Sequence, residues 1–553
     1  MTRFSADGRA ALDPNAGGGI GRRSVLGLLG LTTAALGMPA LLTACGSEAT
    51  PAGSGPAPAP ESLRWVLGQN VATLDVAKSA GAPIPLLALS HETLVRLDEN
   101  LSIVPVLAES WEQPTPTKLV YKLRQGVKFW DGTPLTAEDV AYSITRHLDP
   151  KVGSPIASLL SNFKSVDVTS PTELTITLSR PDPAAKYLTA RCAVTPKAYS
   201  ERLGDQLGVS GPEVKTMGTG PYVVKKFDSA TGIEYAANPS YWGDKPRYSS
   251  VVIDFVADAN ARQLAVRSGK VAGTMDVPVV AIEDWRRLPK TKITSSPPLM
   301  SAFLALNVNR APFDDIHVRR ALAHAVDRAG FVKAFLHGEG APARAVPPPA
   351  QWANLADDAK VQQVYDSLPA YDYDIEKAKA ELAKSAHAGG FSATVRFPDA
   401  NPHLGKALVS LAQTVRPLGI ELKVQEAPMT DWRSQLMGHE HDMNIMILRP
   451  NYPDPADYLN LLLPSNAAAK GQYNIAEYRG EGIDKMLAAQ AAADGEERIE
   501  ALTALLTRVN EDLPYIPLWW EASSMALSED FSYEGYSTLY YDQQWADRVR
   551  PQV

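Results

Sequence analysis

Cysteine is nearly absent: 553 residues hold two, Cys45 and Cys192. A disulfide framework is therefore excluded, and a chain this long can build a core without one. Cys192 is expected to be a small buried apolar side chain. Basic charge is also scarce, with 54 Lys and Arg against 62 Asp and Glu and a formal net charge of −8. No basic block stands out, which argues against a nucleic-acid partner. Catalytic signatures are missing too. There is no Walker loop, no Gly-x-Ser-x-Gly elbow and no His-Glu-x-x-His. The densest group of possible metal ligands is His439, Glu440 and His441. A spacing of two suits a strand better than the helical pair of a zinc protease, and an exposed turn is expected there. Cys192 has no nearby His in sequence to make it a nucleophile. No unit of roughly 20–50 residues repeats, so a solenoid or propeller is not indicated. An enzyme is not expected, nor a cofactor or a metal.

The rest of the composition is ordinary. The chain is 45% hydrophobic and 21% charged, which at about 100–200 residues per domain suggests three or so domains. At the N-terminus, Arg22 and Arg23 precede an apolar run over residues 25–42, followed by Leu42-Thr43-Ala44-Cys45. Charged, apolar and small-residue regions in that order form a secretory signal. An uncleaved membrane anchor is the alternative. The run is only about long enough to span, and Gly27, Gly30, Gly37 and Pro39 weaken it. The last four residues resemble a bacterial lipobox, which implies cleavage before Cys45 and lipidation of its sulfur. The Arg pair leaves twin-arginine and general export both open. Residues 46–62 are rich in Pro, Ala, Gly and Ser and are expected to be a disordered, extended tether.

Periodicity then places the elements. Residues 119–124 alternate as a strand, Asp131-Gly132 is a turn, and Thr136 is placed to cap a helix through accepting from the Asp139 amide. Val140, Ile144 and Leu148 give that helix one apolar stripe. Strands over 166–168 and 173–178 read as a hairpin. Residues 218–221, GTGP, lack the Gly-Lys-Ser/Thr of a phosphate loop and lead into a strand. A strand over 303–309 precedes a helix capped by Asp314 or Asp315. Its buried face is Val318, Ala321, Leu322, Ala325 and Val326, which leaves Arg319, Arg320 and Arg328 on a solvated face. A strand at 394–397, a helix over 404–418 and a strand at 420–424 suggest a parallel crossover. Residues 443–448 form another apolar strand, 496–512 a helix and 513–520 a final strand.

Several of these segments carry a resemblance. DGTPLTAEDVAYS (131–143), GTGPY (218–222), NPSYW (238–242), NVNRAPFDDIHVRRALAHAVDR (307–328) and LPYIPLWW (513–520) resemble landmarks of the family-five extracellular solute-binding proteins of ABC importers. The resemblance implies an α/β fold of the two-lobed type II periplasmic-binding-protein kind (cluster C), with an extra subdomain in the first lobe. The expected division is a signal peptide at 1–45, a tether at 46–62 and a first lobe at 63–305 with its subdomain at about 96–215. The second lobe is expected at 306–520, with a return to the first at 521–553. It implies a lipoprotein, anchored to the cell membrane through Cys45, that captures a solute, most often a peptide, and passes it to a permease with cytoplasmic ATPases. A monomer is expected. Peptide binders of the family hold the α-amino group with an Asp three residues before an Asp-Pro pair. Here the pair is Asp454-Pro455 and the position is Asn451. By the same ungapped count, an Arg used for the peptide carboxylate becomes Pro398, and two aromatics become Leu448 and Met429. Arg449 stands where a neutral residue is usual. In the first lobe the resemblance points to Ser79 and Gly81. The expected solute-binding set is therefore Ser79, Gly81, Met429, Leu448, Arg449 and Asn451. A non-peptide anionic or neutral solute, such as an opine-like compound or a sugar conjugate, and a membrane-anchored sensor without a transport role are the alternatives.

Overall fold

Leu63, Trp65, Val66 and Leu67 are buried in the strand Ser62–Leu67, the first element of the fold. It begins one residue inside the stretch expected to be tether. The computed structural model describes residues 61–79, 83–539 and 544–552. The leader with Cys45, the tether up to residue 60, and Gly81 lie outside the described residues. Ser62–Leu67 runs parallel to Ser250–Phe255 on one side and Gly273–Thr274 on the other. Around it forms a seven-stranded sheet in the order Thr291–Ser295, Ser524–Ser528, Gly273–Thr274, Ser62–Leu67, Ser250–Phe255, Gly232–Ala237, Tyr222–Asp228.

A second, six-stranded sheet follows the order Gly340–Pro342, Tyr515–Glu521, Met300–Leu306, Met443–Leu448, Phe391–Pro398, Ile420–Ala427. Its last two strands are parallel across the helix Pro402–Val415, the crossover that the alternation of elements predicted. Between these strands the chain passes from one sheet to the other at two short segments, between Ser295 and Met300 and between Glu521 and Ser524. The first lies a few residues ahead of the boundary expected at 305, because Met300–Leu306 is wholly a strand of the second sheet. The two segments hold each other: the Ser296 amide donates to the Ser523 carbonyl (2.9 Å), and the Ser523 amide to Ser296 Oγ (3.0 Å). A separate four-stranded antiparallel sheet, Ala108–Thr115, Lys118–Leu123, Glu173–Leu178, Phe163–Ser170, contains the expected hairpin.

The helix that follows Lys118–Leu123, Ala137–Arg146, starts at Thr136 in a capping box, with the Thr136 side chain facing the Asp139 amide as expected. The Thr136 hydroxyl donates to the Asp139 carboxylate (2.7 Å), which also accepts from the Thr136 amide (3.0 Å). The second Asp139 oxygen accepts from the Lys197 amide (2.9 Å), so one carboxylate caps this helix and fixes the start of a later one, Lys197–Leu203.

The solvated face expected for Arg319 and Arg328 is not there. Both are buried. Arg319 donates to the carbonyls of Asp512 (2.9 Å), Phe313 (2.6 Å) and Asp314 (3.1 Å), and Arg328 to those of Pro517, Ala323 and Tyr371 (2.8, 3.2 and 2.7 Å). The first helix stops at Ala325, and Asp327 caps a second one, Arg328–Phe335. Periodicity read the two as one helix. It cannot register that a long side chain turns back to satisfy carbonyls left open at helix ends and loops. Desolvation lowers the Arg328 guanidinium to about 10.

Two landmarks of the sequence meet at one carboxylate. Buried Glu92 accepts from Thr219 Oγ1 (2.8 Å), the Tyr241 hydroxyl (2.7 Å) and Trp242 Nε1 (2.8 Å). The glycines on either side of Thr219 are required by close approach. A Cβ on Gly218 would lie 2.3 Å from the Ser90 carbonyl oxygen, and one on Gly220 would lie 2.6 Å from the Ser90 carbonyl carbon. The Gly220 amide donates to that same Ser90 oxygen (3.0 Å), and Asn238 Nδ2 donates to the Gly220 carbonyl (3.0 Å). Glu92→Ala should cost about 2–4 kcal/mol, because one buried and two half-buried donors lose their acceptor. Glu92→Gln should cost less, since the amide oxygen still accepts. Urea midpoints of the two variants check the order.

Candidate functional site

Strand direction gathers the site. Phe391–Pro398, Ile420–Ala427 and Met443–Leu448 run parallel, so Pro398, Ala427 and Leu448 end on one edge of the six-stranded sheet. Solutes bind to α/β sheets at such carboxyl ends. Leu448 closes its strand, with Arg449 and Asn451 in the turn beyond it. Met429, exposed, opens the helix Met429–Met437 after the edge strand, and its amide donates to Asp399 (3.1 Å). The Tyr458 hydroxyl fixes the end of the middle strand by donating to the carbonyls of Leu448 (2.8 Å) and Leu299 (2.9 Å).

Asn451 does not act alone. Its main-chain amide donates to one oxygen of Asp457 (2.6 Å) and its side-chain amide to the other (3.0 Å). Asp457 is buried in the helix Ala456–Leu462. Burial pushes its carboxyl up to about 7, against the opposing pull of the Asn451 donors, the Tyr452 amide and the Arg191 charge. Asp454, the acid of the Asp-Pro pair, is committed elsewhere. It is buried and bidentate with Arg498 (2.8 and 2.9 Å).

Arg449 reaches the other sheet's side of the molecule. Its Nη2 is 3.1 Å from the Asp276 carboxylate, and Nη1 donates to the Thr538 carbonyl (3.1 Å). Asp276 has φ of 55° and also accepts from Ser523 Oγ (3.3 Å), beside the crossover. Along the same seam Tyr452 stacks on Tyr187, with centroids 6.0 Å apart and planes within 5°. Asn354 donates to the Leu101 carbonyl (2.8 Å) and accepts from Ser102 (2.9 Å).

On the opposite wall, Ser79 is buried, and its hydroxyl donates to the Asp75 carbonyl (2.6 Å). It lines a cavity with Val76, Leu87, His91 and Arg191. The Asp75 carboxylate is bidentate with Arg146 (2.5 and 2.7 Å), so the helix of the DGTPLTAEDVAYS stretch pins the loop that carries Ser79.

The structure thus brings Leu448, Arg449 and Asn451 together, puts Met429 on the same edge two strands away, and puts Ser79 across the seam. Asp276, Asp457 and Tyr187 were missed. Asp457 had a readable signal in its place three residues after Asp454. The other two had none, because their role depends on what the second sheet brings to them.

His439 and His441 are buried rather than on an exposed turn. Their Nε2 atoms lie 3.1 Å from the carbonyls of Gln472 and Ile475, so the pair anchors that loop, and burial lowers His441 to about 4. Among the described residues no three His, Cys, Asp or Glu cluster to hold a metal, and no helix is long and apolar enough to cross a membrane. Cys192 is buried, and its thiol is pushed up to about 12 by desolvation, which leaves it no nucleophilic thiolate near neutral pH.

Two α/β sheets joined at two short segments, with polar groups converging on the seam between them, define a type II solute-binding fold. The chain belongs to the bacterial extracellular solute-binding proteins, family 5, whose middle region matches residues 102–470. These are the solute-binding subunits of ABC importers. One curated relative, "Probable di/tripeptide-binding protein 5" of Pseudomonas aeruginosa, is 29% identical over 81% of this chain and 87% of its own. Two solved structures share the fold. DppA of Helicobacter pylori, in complex with the peptide STSA, has a TM-score of 0.74 at 22% identity, covering 90% of this chain and 99% of its own. AgaA of A. tumefaciens R10, in complex with agropinic acid, has a TM-score of 0.73 at 23% identity, covering 89% and 99%.

The Asp457 carboxyl sets a pH dependence of definite sign. Its folded value near 7 is above the ordinary 3.8, so the stability it contributes is full below about pH 4 and lost as pH rises through 7. The full effect is on the order of 4 kcal/mol. Between pH 5 and 8, Asp457→Asn should lose less stability than the parent chain, as read from urea midpoints at each pH.

Proposed function

We propose that the chain captures peptides between its two sheets outside the cytoplasm and hands them unaltered to an ABC permease. In this reading it acts as a monomer, held at the membrane by lipid on Cys45. The two sheets serve as lobes turning about the paired segments at Ser296 and Ser523, and closure over a bound solute is the working motion. Ser79, Gly81, Met429, Leu448, Arg449 and Asn451 line the path of the solute, with Pro398 on the same edge.

The observation that carries the peptide reading is the Asp457 carboxylate directly behind Asn451. An amide at 451 offers an acceptor without charge. The Asp457 carboxyl, pushed by burial to about 7, lies in the next layer, and a peptide α-ammonium at Asn451 would draw it to the ionised form and so meet a negative charge there. The name of the Pseudomonas relative agrees with this. A second reading rests on Arg449. Its guanidinium lies on the seam, partly exposed, and an anionic solute could displace Asp276 from it. The agropinic acid bound by AgaA is a solute of that kind.

Native mass spectrometry of the secreted protein separates the two. A ladder of co-purifying peptide masses is expected. A single non-peptide acidic mass would replace the peptide reading with the anionic one. With peptide bound, Arg449→Ala should weaken affinity by no more than about fivefold, the range of a partly exposed ion pair. With an anionic solute the loss should be far larger. Intact-mass analysis should find diacylglycerol on Cys45, and Cys45→Ala should release the protein from the membrane fraction. Retention of that variant on membranes would refute the anchor.

A further inference from the structure

The cavity that Ser79 lines is built on one face of a helix. Ile84, Leu87 and Ala88 of Pro83–Ser90 lie on that face, and His91 continues it, since its amide still donates to the Leu87 carbonyl (2.7 Å). Val76, Ile156 and Ala190 add further apolar wall. The cavity holds about 60 Å³. A water molecule's share of the liquid is about 30 Å³, and an apolar cavity that takes up benzene is about 150 Å³. An isopropyl or isobutyl group suits this room, and an aromatic ring does not. The polar groups on the lining are already committed. The Ser79 hydroxyl donates to the Asp75 carbonyl, and Thr93 Oγ1 donates to the Val95 carbonyl (2.6 Å). The two ring nitrogens of His91 meet Ser90 Oγ (2.9 Å) and Thr216 Oγ1 (3.0 Å), and Glu92 holds its three donors. The Arg96 charge acts on Glu92 and Asp547, and the Arg191 charge on Asp457. A polar group entering this space would give up water for no new partner, whereas an aliphatic group gains by burial.

One wall of the cavity leads to Asn451. Ala190 and Arg191, both on the lining, end the short turn Thr189–Arg191. Arg191 acts on the same Asp457 carboxyl that holds Asn451 through two hydrogen bonds. Tyr187, just before this turn, stacks on Tyr452, the neighbour of Asn451. The segment from Tyr187 to Arg191 therefore faces the Asn451 turn and the cavity together. In a peptide, the first side chain branches from the carbon that carries the α-ammonium. With the α-ammonium at Asn451, that side chain is the group nearest this segment.

We propose that this cavity receives the first side chain of the bound peptide, so that the protein selects peptides whose N-terminal residue is small and aliphatic. Val and Leu are then favoured over Gly, which leaves the cavity empty, and over Phe, which overfills it. This selection rests on the peptide reading proposed above and narrows its solute class.

The test is calorimetric titration of the secreted protein, stripped of co-purifying solute, with tripeptides that differ only in the residue ahead of Ala-Ala. Each aliphatic carbon buried should gain about fourfold. Val-Ala-Ala and Leu-Ala-Ala should therefore bind at least about tenfold tighter than Gly-Ala-Ala, and Phe-Ala-Ala and Glu-Ala-Ala no tighter than Gly-Ala-Ala. Ala88→Leu fills the cavity from the helix face and should bring Val-Ala-Ala down to the level of Gly-Ala-Ala. Ile156→Ala enlarges it and should instead raise the affinity for Phe-Ala-Ala. Affinities that do not vary with the first residue, or tightest binding of Glu-Ala-Ala, would overturn the proposal and leave the peptide reading standing. Binding of no peptide, in this set or in the co-purifying masses, would overturn both.

Discussion

The Glu92 carboxylate is the constraint on which much of the first sheet's side depends. It is a buried charge, and burial alone would drive it neutral. Three donors from two distant segments keep it satisfied: Thr219 from GTGPY, Tyr241 and Trp242 from NPSYW. In return it fixes where those segments run. The loop at Thr219 can reach Glu92 only by passing against Ser90 so closely that two glycines are required. The same Tyr241 and Trp242 form part of the wall of a surface groove lined by charges of both signs. A single buried charge thus links the packing of the lobe to the chemistry of its outer surface.

The regular part of the fold was legible because periodicity and turn chemistry are local. The hairpin at Phe163–Ser170 and Glu173–Leu178, the crossover at Phe391–Ala427 and the cap at Thr136 all follow from residues close in sequence. The failures have one physical cause. Arg319, Arg328, His439 and His441 were all placed in solvent because they are polar. Each instead carries hydrogen bonds to carbonyls brought from elsewhere in the chain, and such partners are invisible to any window of sequence. The cap at Thr136 has one partner of the same kind: the Asp139 carboxylate that completes it is shared with Lys197, 58 residues further on.

At the site the local reading was sharper about position than about charge. Direction of the strands puts Leu448, Arg449 and Asn451 together at the carboxyl end of the second sheet. What the charges do there was not readable. Asn451 looked like the loss of a carboxylate, whereas the carboxylate is six residues on, in the layer behind. Arg449 looked like a gain of positive charge in a pocket, whereas Asp276 already faces it. Side-chain identity in a single position therefore says little about the potential a solute meets. The potential belongs to the pair.

That last pair has a kinetic consequence. Asp276 and Arg449 come from opposite sides of the seam, so their attraction exists only while the two sides are together. In the reading in which the two sheets close on a solute, it favours the closed arrangement for any cargo that leaves Arg449 to Asp276. Such a contact lengthens the residence of those cargoes and not of one that takes Arg449 for itself. Delivery then requires something to part the two charges.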